Sequence, residues 1–140
     1  MRKTIHCGIF TLSLFFVLAI FSYSQPAQEK VDYGKIIGTW KVEINADGEF
    51  YYLSLEVKVT EGKLEGTVSE SQGYLTDVSL SNILFDGENL NFEFTSPTPP
   101  DGLQRLVKAE FKVGVDKLEG MVSVPDMQVT APATAIREKI

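Results

Sequence analysis

Cysteine and histidine are nearly missing from this chain, with one of each among 140 residues, Cys7 and His6, both within the first ten positions. A short N-terminal segment holds both, and the rest of the sequence has neither. Disulfides, Cys/His zinc sites, cysteine nucleophiles and Ser-His-Asp arrangements all need residues that are absent there. Positive charge is also scarce: 13 Lys and Arg stand against 19 Asp and Glu, a formal net charge of −6, and no basic cluster is present. That balance argues against nucleic acid or an anionic membrane surface as partner, since both require concentrated Lys and Arg. Asn45, Asn82, Asn89 and Asn91 head no Asn-x-Ser/Thr triplet, so N-glycosylation is not expected. No cofactor is implied, no metal site is expected, and no catalytic residue is assigned.

The N-terminus does carry a pattern. Arg2 and Lys3 precede an apolar stretch from Ile9 to Phe21, and small residues follow at Ser22 and Ser24. This predicts a signal peptide over residues 1–24 and a secreted or periplasmic mature protein with no integral membrane segment after cleavage. Residues 25–35 are expected to be an N-terminal leader, with one helical turn near Tyr33, and residues 36–140 a single domain with one core. Without disulfides, that core must hold the fold.

Beyond the leader the sequence alternates with a period of two. Two copies of one phrase stand 54 positions apart, Lys63-Leu64-Glu65-Gly66 with Val68-Ser69, and Lys117-Leu118-Glu119-Gly120 with Val122-Ser123. Each follows an alternating run, Leu53, Leu55, Val57 and Val59 in the first copy and Val107, Ala109, Phe111 and Val113 in the second. Both read as the same β-hairpin, one face apolar and one wet. Further strands are expected over residues 39–45, 89–95 and 133–137, with Ser96 to Gly102, which holds three prolines, as a loop. From Tyr74 to Phe85 the apolar positions change parity, the mark of a bulged or broken strand. The sum is an all-β, eight-stranded antiparallel up-and-down barrel with a two-fold internal strand repeat. Short turns gather at one end and longer connections at the other, which predicts a closed end and a loop end.

Gly38-Thr39-Trp40 on the first strand and Arg137 on the last resemble the structural signature of the lipocalins and their calycin superfamily. The whole domain is similar to small secreted bacterial lipocalin-like domains with Lys-Leu-x-Gly hairpins. This resemblance implies that Gly38, Trp40 and Arg137 meet at the closed end, the guanidinium lying over the indole. A cation over Trp gains about 0.5–2 kcal/mol, and the first and last strands of a closed barrel must be neighbours.

At the loop end, alternation points Tyr51 and Arg105 inward, one pair beyond the apolar runs. Leu53, Phe94 and Ala109 lie on the same inner face. These five residues are the candidate binding set for a small, largely apolar molecule, with an anionic head group held by Arg105 as one version. Gly66, Gly120, Ala109 and Ala133 are expected to leave interior space. The repeated carboxylates Glu56/Glu110 and Glu65/Glu119 fall on the outer face, too dispersed for an acid/base pair, and Asp47-Gly48 and Asp86-Gly87 read as turns. The expected function is therefore a secreted, non-catalytic binding protein; the alternative is a structural or protein-interaction module with a filled core.

Overall fold

The computed structural model describes residues 30–139; the expected signal peptide and the start of the leader lie outside them. Nine antiparallel strands form one nearly closed barrel: β1 (Gly38–Ala46), β2 (Glu49–Thr60), β3 (Lys63–Glu70), β4 (Val78–Ser79), β5 (Ser81–Phe85), β6 (Asn89–Thr98), β7 (Leu103–Val113), β8 (Lys117–Val124) and β9 (Val129–Arg137). Their order is β4-β3-β2-β1-β9-β8-β7-β6-β5, so the first long strand pairs with the last. Among the described residues no helix is long and apolar enough to cross a membrane.

Nine strands replace the expected eight because the segment Tyr74–Phe85 splits in two. Val78–Ser79 pairs with β3 and Ser81–Phe85 with β6, while Leu80 crosses the seam and donates its N–H to the Gly66 carbonyl at 2.9 Å. Asp77 and Asn82, on either side, take left-handed backbone angles (φ 46° and 48°), which Asp and Asn tolerate better than most residues. A register shift between Ser81 and Leu84 completes the change of parity. The chain itself thus bridges the barrel's two sheet edges.

Strand ends also differ from expectation. Thr98 rather than Thr95 ends β6, and β9 begins at Val129 rather than Ala133, so Pro97 and Pro132 both lie within strands. Each sits on an edge segment, where a missing N–H is tolerated. Past Glu93, β6 has no β5 partner, and before Ala133, β9 has no β1 partner.

The two hairpins pair in matching register, Val57 opposite Gly66 and Phe111 opposite Gly120. Neither glycine opens interior space. A Cβ on Gly66 would meet Leu80 Cδ1 at 2.6 Å and the Glu56 carbonyl at 2.7 Å, and one on Gly120 would fall on the carbonyl oxygen of Glu110. They serve close backbone approach at the bends of the sheet. Ala109 and Ala133 are likewise packed, 2% exposed each. The filled half of the core centres on Trp40, Phe111, Leu55, Leu90 and Leu118, with Phe92 stacked 6.0 Å from Phe111 and 6.3 Å from Phe94. Residues 33–35, placed in the leader by the sequence, form a 3-10 turn whose Tyr33 packs against the core, 6.4 Å from Phe85.

Candidate functional site

The barrel's two ends are built differently. At the closed end Trp40 is fully buried and its indole Nε1 donates to the Ile36 carbonyl at 2.9 Å. Arg137 lies over the ring, its Cζ 4.3 Å from the centroid. The guanidinium also donates to the Asp116 carboxylate at 2.9 Å, to the Lys35 carbonyl at 2.7 Å and to the Ile37 carbonyl. Gly38 permits this arrangement twice over. Its φ of 131° lies in the region that disfavours side chains, and a Cβ there would stand 3.0 Å from Arg137 Nη1. Gly38, Trp40 and Arg137 thus come together as one structural plug.

Inward residues shrink toward the other end. Ser96, Thr98, Val122 and Ala131 replace the aromatic rings of the middle layer, and a cavity of ≈ 220 Å³ opens there. Ile44, Leu53, Phe94, Val107, Val122 and Ala131 form much of its wall. Polar atoms at its rim are already engaged: Ser96 Oγ donates to the Pro97 carbonyl at 2.9 Å, and Thr98 Oγ1 donates to the Leu103 carbonyl at 3.3 Å while accepting from Arg105. Such a space suits apolar atoms held by contact rather than by bonds. A wider cleft of ≈ 500 Å³ adjoins it, between the end of β3 with its following loop and the β6–β7 hairpin. Cavity and cleft share Tyr51, Leu53, Leu75 and Pro97 in their linings.

Of the five residues assigned to binding from the sequence, Tyr51, Leu53 and Phe94 line the cavity and two do not. Ala109 lies deeper, packed opposite Phe92 and Val122. Arg105 lines neither cavity nor cleft: both terminal nitrogens reach the Asp101 carboxylate at 2.7 Å, and Nη1 also reaches Thr98 Oγ1 at 2.7 Å. This fork-to-fork pair matches the guanidinium's charge within the β6–β7 turn. It holds the Asp101 carboxyl well below the usual carboxylate range, the Arg105 bonds contributing most, and raises Arg105 further. Tyr51 and Arg105 do not act as a pair. The Tyr51 hydroxyl donates to Glu49 Oε2 at 2.9 Å, a bond that pushes the phenol above its ordinary value.

Sequence reading missed two residues here. Asp101 stands four positions before Arg105 across a turn, a spacing that signals an ion pair once the hairpin is recognised. Glu70 ends β3 and lines the cleft, and its Oε2 is shut off from water without a hydrogen-bond partner; alternation alone gives no sign of that. Among the described residues no group of three or more His, Cys, Asp or Glu is placed to hold a metal ion. No protein-family model, curated protein or solved structure matches the chain.

Proposed function

We propose that the chain is a secreted or periplasmic, non-catalytic, lipocalin-like binding protein that holds a small, largely apolar molecule at the loop end of its barrel. One observation carries this reading: the ≈ 220 Å³ cavity walled by Leu53, Phe94, Val107 and Val122 at one end, against a fully packed core at the other. An engineered apolar cavity of about 150 Å³ takes up benzene, so a space of this size and lining suffices for a compact apolar group. Support for the lipocalin-like identity comes from the Gly38–Trp40–Arg137 contact, and support for export from the pattern of residues 1–24. The engagement of Arg105 by Asp101 removes the anionic head group from the proposal.

Native mass spectrometry of protein purified from its own host tests the reading. A single added small-molecule mass, lost on organic extraction, is the expected result. A bare chain that also fails to take up octanol saturably would overturn it. The interaction-module reading has its own observation: Phe50, Tyr52 and Tyr74, 51%, 58% and 70% exposed, lie together along the adjoining cleft. Under that reading the aromatic rim, rather than the cavity, meets a partner.

A further inference from the structure

The loop end is electrically one-sided. Its connections and flanking strand ends carry Asp47, Glu49, Glu70, Asp77, Asp101 and Asp126, and none of the four connections between residues 46 and 129 at this end contains Lys or Arg. Arg105, just inside β7, is the nearest cation among the described residues of this rim, and Asp101 already matches it through two 2.7 Å bonds. An incoming anion therefore meets repulsion without a free cation to offset it, whereas an incoming cation meets attraction.

Within this field the cleft has specific equipment. Glu70 lines it, and Oε2 of its carboxylate is withdrawn from water yet accepts no hydrogen bond. That oxygen has lost its hydration with nothing in exchange and is closed to the cleft as well, so it gains a donor only when the Glu70 side chain turns towards the cleft it lines. Tyr51, Tyr52 and Tyr74 line the same cleft. Aromatic ring faces attract cations, so rings beside a carboxylate favour an ammonium group over a neutral donor. Leu53 and Leu75 line both the cleft and the apolar cavity, which sets a polar group and an apolar space side by side.

We propose that the molecule bound at this end is an amphiphilic amine, its ammonium group bonded to Glu70 among the tyrosines of the cleft and its tail in the cavity beside Leu53. This inference rests on the cavity reading above and adds the head-group class to it. Scaled from benzene in about 150 Å³, the cavity accommodates a tail of about eight carbons. The N–H bonds go to Glu70 and the hydrocarbon contacts to the barrel wall, so each half of the ligand meets its own chemistry.

Calorimetric titration with three eight-carbon probes, octylammonium, octanol and octanoate, at one ionic strength tests both levels separately. Octylammonium is expected to bind at least about 10-fold more tightly than octanol, the ratio a charge-assisted hydrogen bond supplies, with octanoate weakest. In Glu70→Gln octylammonium should fall to the octanol level while octanol itself changes by less than about 2-fold. Glu70→Asp, which keeps the charge but draws it back by one methylene, should lose part of the preference. Trp40 fluorescence reports whether each variant is folded. Equal affinity of wild type for octylammonium and octanol overturns the amine inference and leaves the cavity reading standing. An ammonium preference undiminished in both Glu70 variants also overturns it, because the diffuse charge of the rim would then be the cause. Failure of all three probes to bind overturns the cavity reading and the amine inference together.

Discussion

Replacing Trp40 by alanine probes the closed end most sharply. The side chain is fully buried, and a Trp removes roughly 200 Å² from water, about 5 kcal/mol at ~25 cal/mol per Å². Two further interactions go with the ring. The Nε1 bond leaves the Ile36 carbonyl unpaired, and Arg137 loses the face it covers, although its bonds to Asp116 and the Lys35 carbonyl remain. Because such contributions are not additive, the expected cost is that of burying and then deleting a large aromatic, about 3–5 kcal/mol. A domain of this size is stable by ~5–15 kcal/mol, so most of the margin is at risk. Urea unfolding reads the effect. With a slope of about 1–3 kcal/mol per M, the midpoint should drop by on the order of 2 M. Trp40 is the only tryptophan, so far-UV circular dichroism rather than intrinsic fluorescence must follow the transition. A drop below about 0.5 M, on the same slope range, would show that the plug does not hold the barrel and refute the account of the closed end.

Gly120→Ala should destabilise the protein by about 1–3 kcal/mol although alanine normally costs less than glycine in a strand, because the new methyl falls on the Glu110 carbonyl; thermal melting checks this. For Asp101 the folded carboxyl titrates below its ordinary value of about 3.8, chiefly through the Arg105 bonds. Its stabilising contribution is therefore present above that value and fades as pH falls through the lower folded one. The melting-temperature gap between wild type and Asp101→Asn should accordingly be widest near neutral pH and narrow below about pH 3.8; a gap that stays constant would rule out this linkage.

The hairpins were legible from local alternation, and the plug through the family resemblance that Gly38, Trp40 and Arg137 carry. Alternation fixed which face of β2 and β7 is buried, and Gly38, Trp40 and Arg137 meet because first and last strands become neighbours on closure. The split at Leu80 was half legible. Parity change marked an irregularity, but only closure decides which half joins β3 and which joins β6. Proline misled at Pro97, since edge position is a property of the sheet and not of the residue, whereas Pro132 sits on the edge segment that a strand proline suits. Glycine misled at Gly66 and Gly120 for a similar reason: absence of a side chain reads equally as space or as close backbone approach. At the loop end alternation put Leu53 and Phe94 on the cavity wall and Arg105 opposite the buried Ser96, but gave no sign that Arg105 is engaged, since its partner Asp101 lay in a segment read as loop. Glu70 shares the inward parity of Leu64, Gly66 and Val68, a mark the sequence does carry, but that its oxygen is unpaired is defined by what surrounds it in three dimensions.

Methyl-resolved NMR with octanol as titrant tests the central proposal, an apolar ligand inside the loop end, most directly. Saturable shifts are predicted for the methyls of Leu53, Val107, Val122 and Ala131 on the cavity wall, with Ile36 and Leu118 at the packed end unmoved. Shifts confined to Leu103 and the rings of Phe50, Tyr52 and Tyr74 on the outer rim, or none that saturate, would contradict it and favour a barrel that works through its surface.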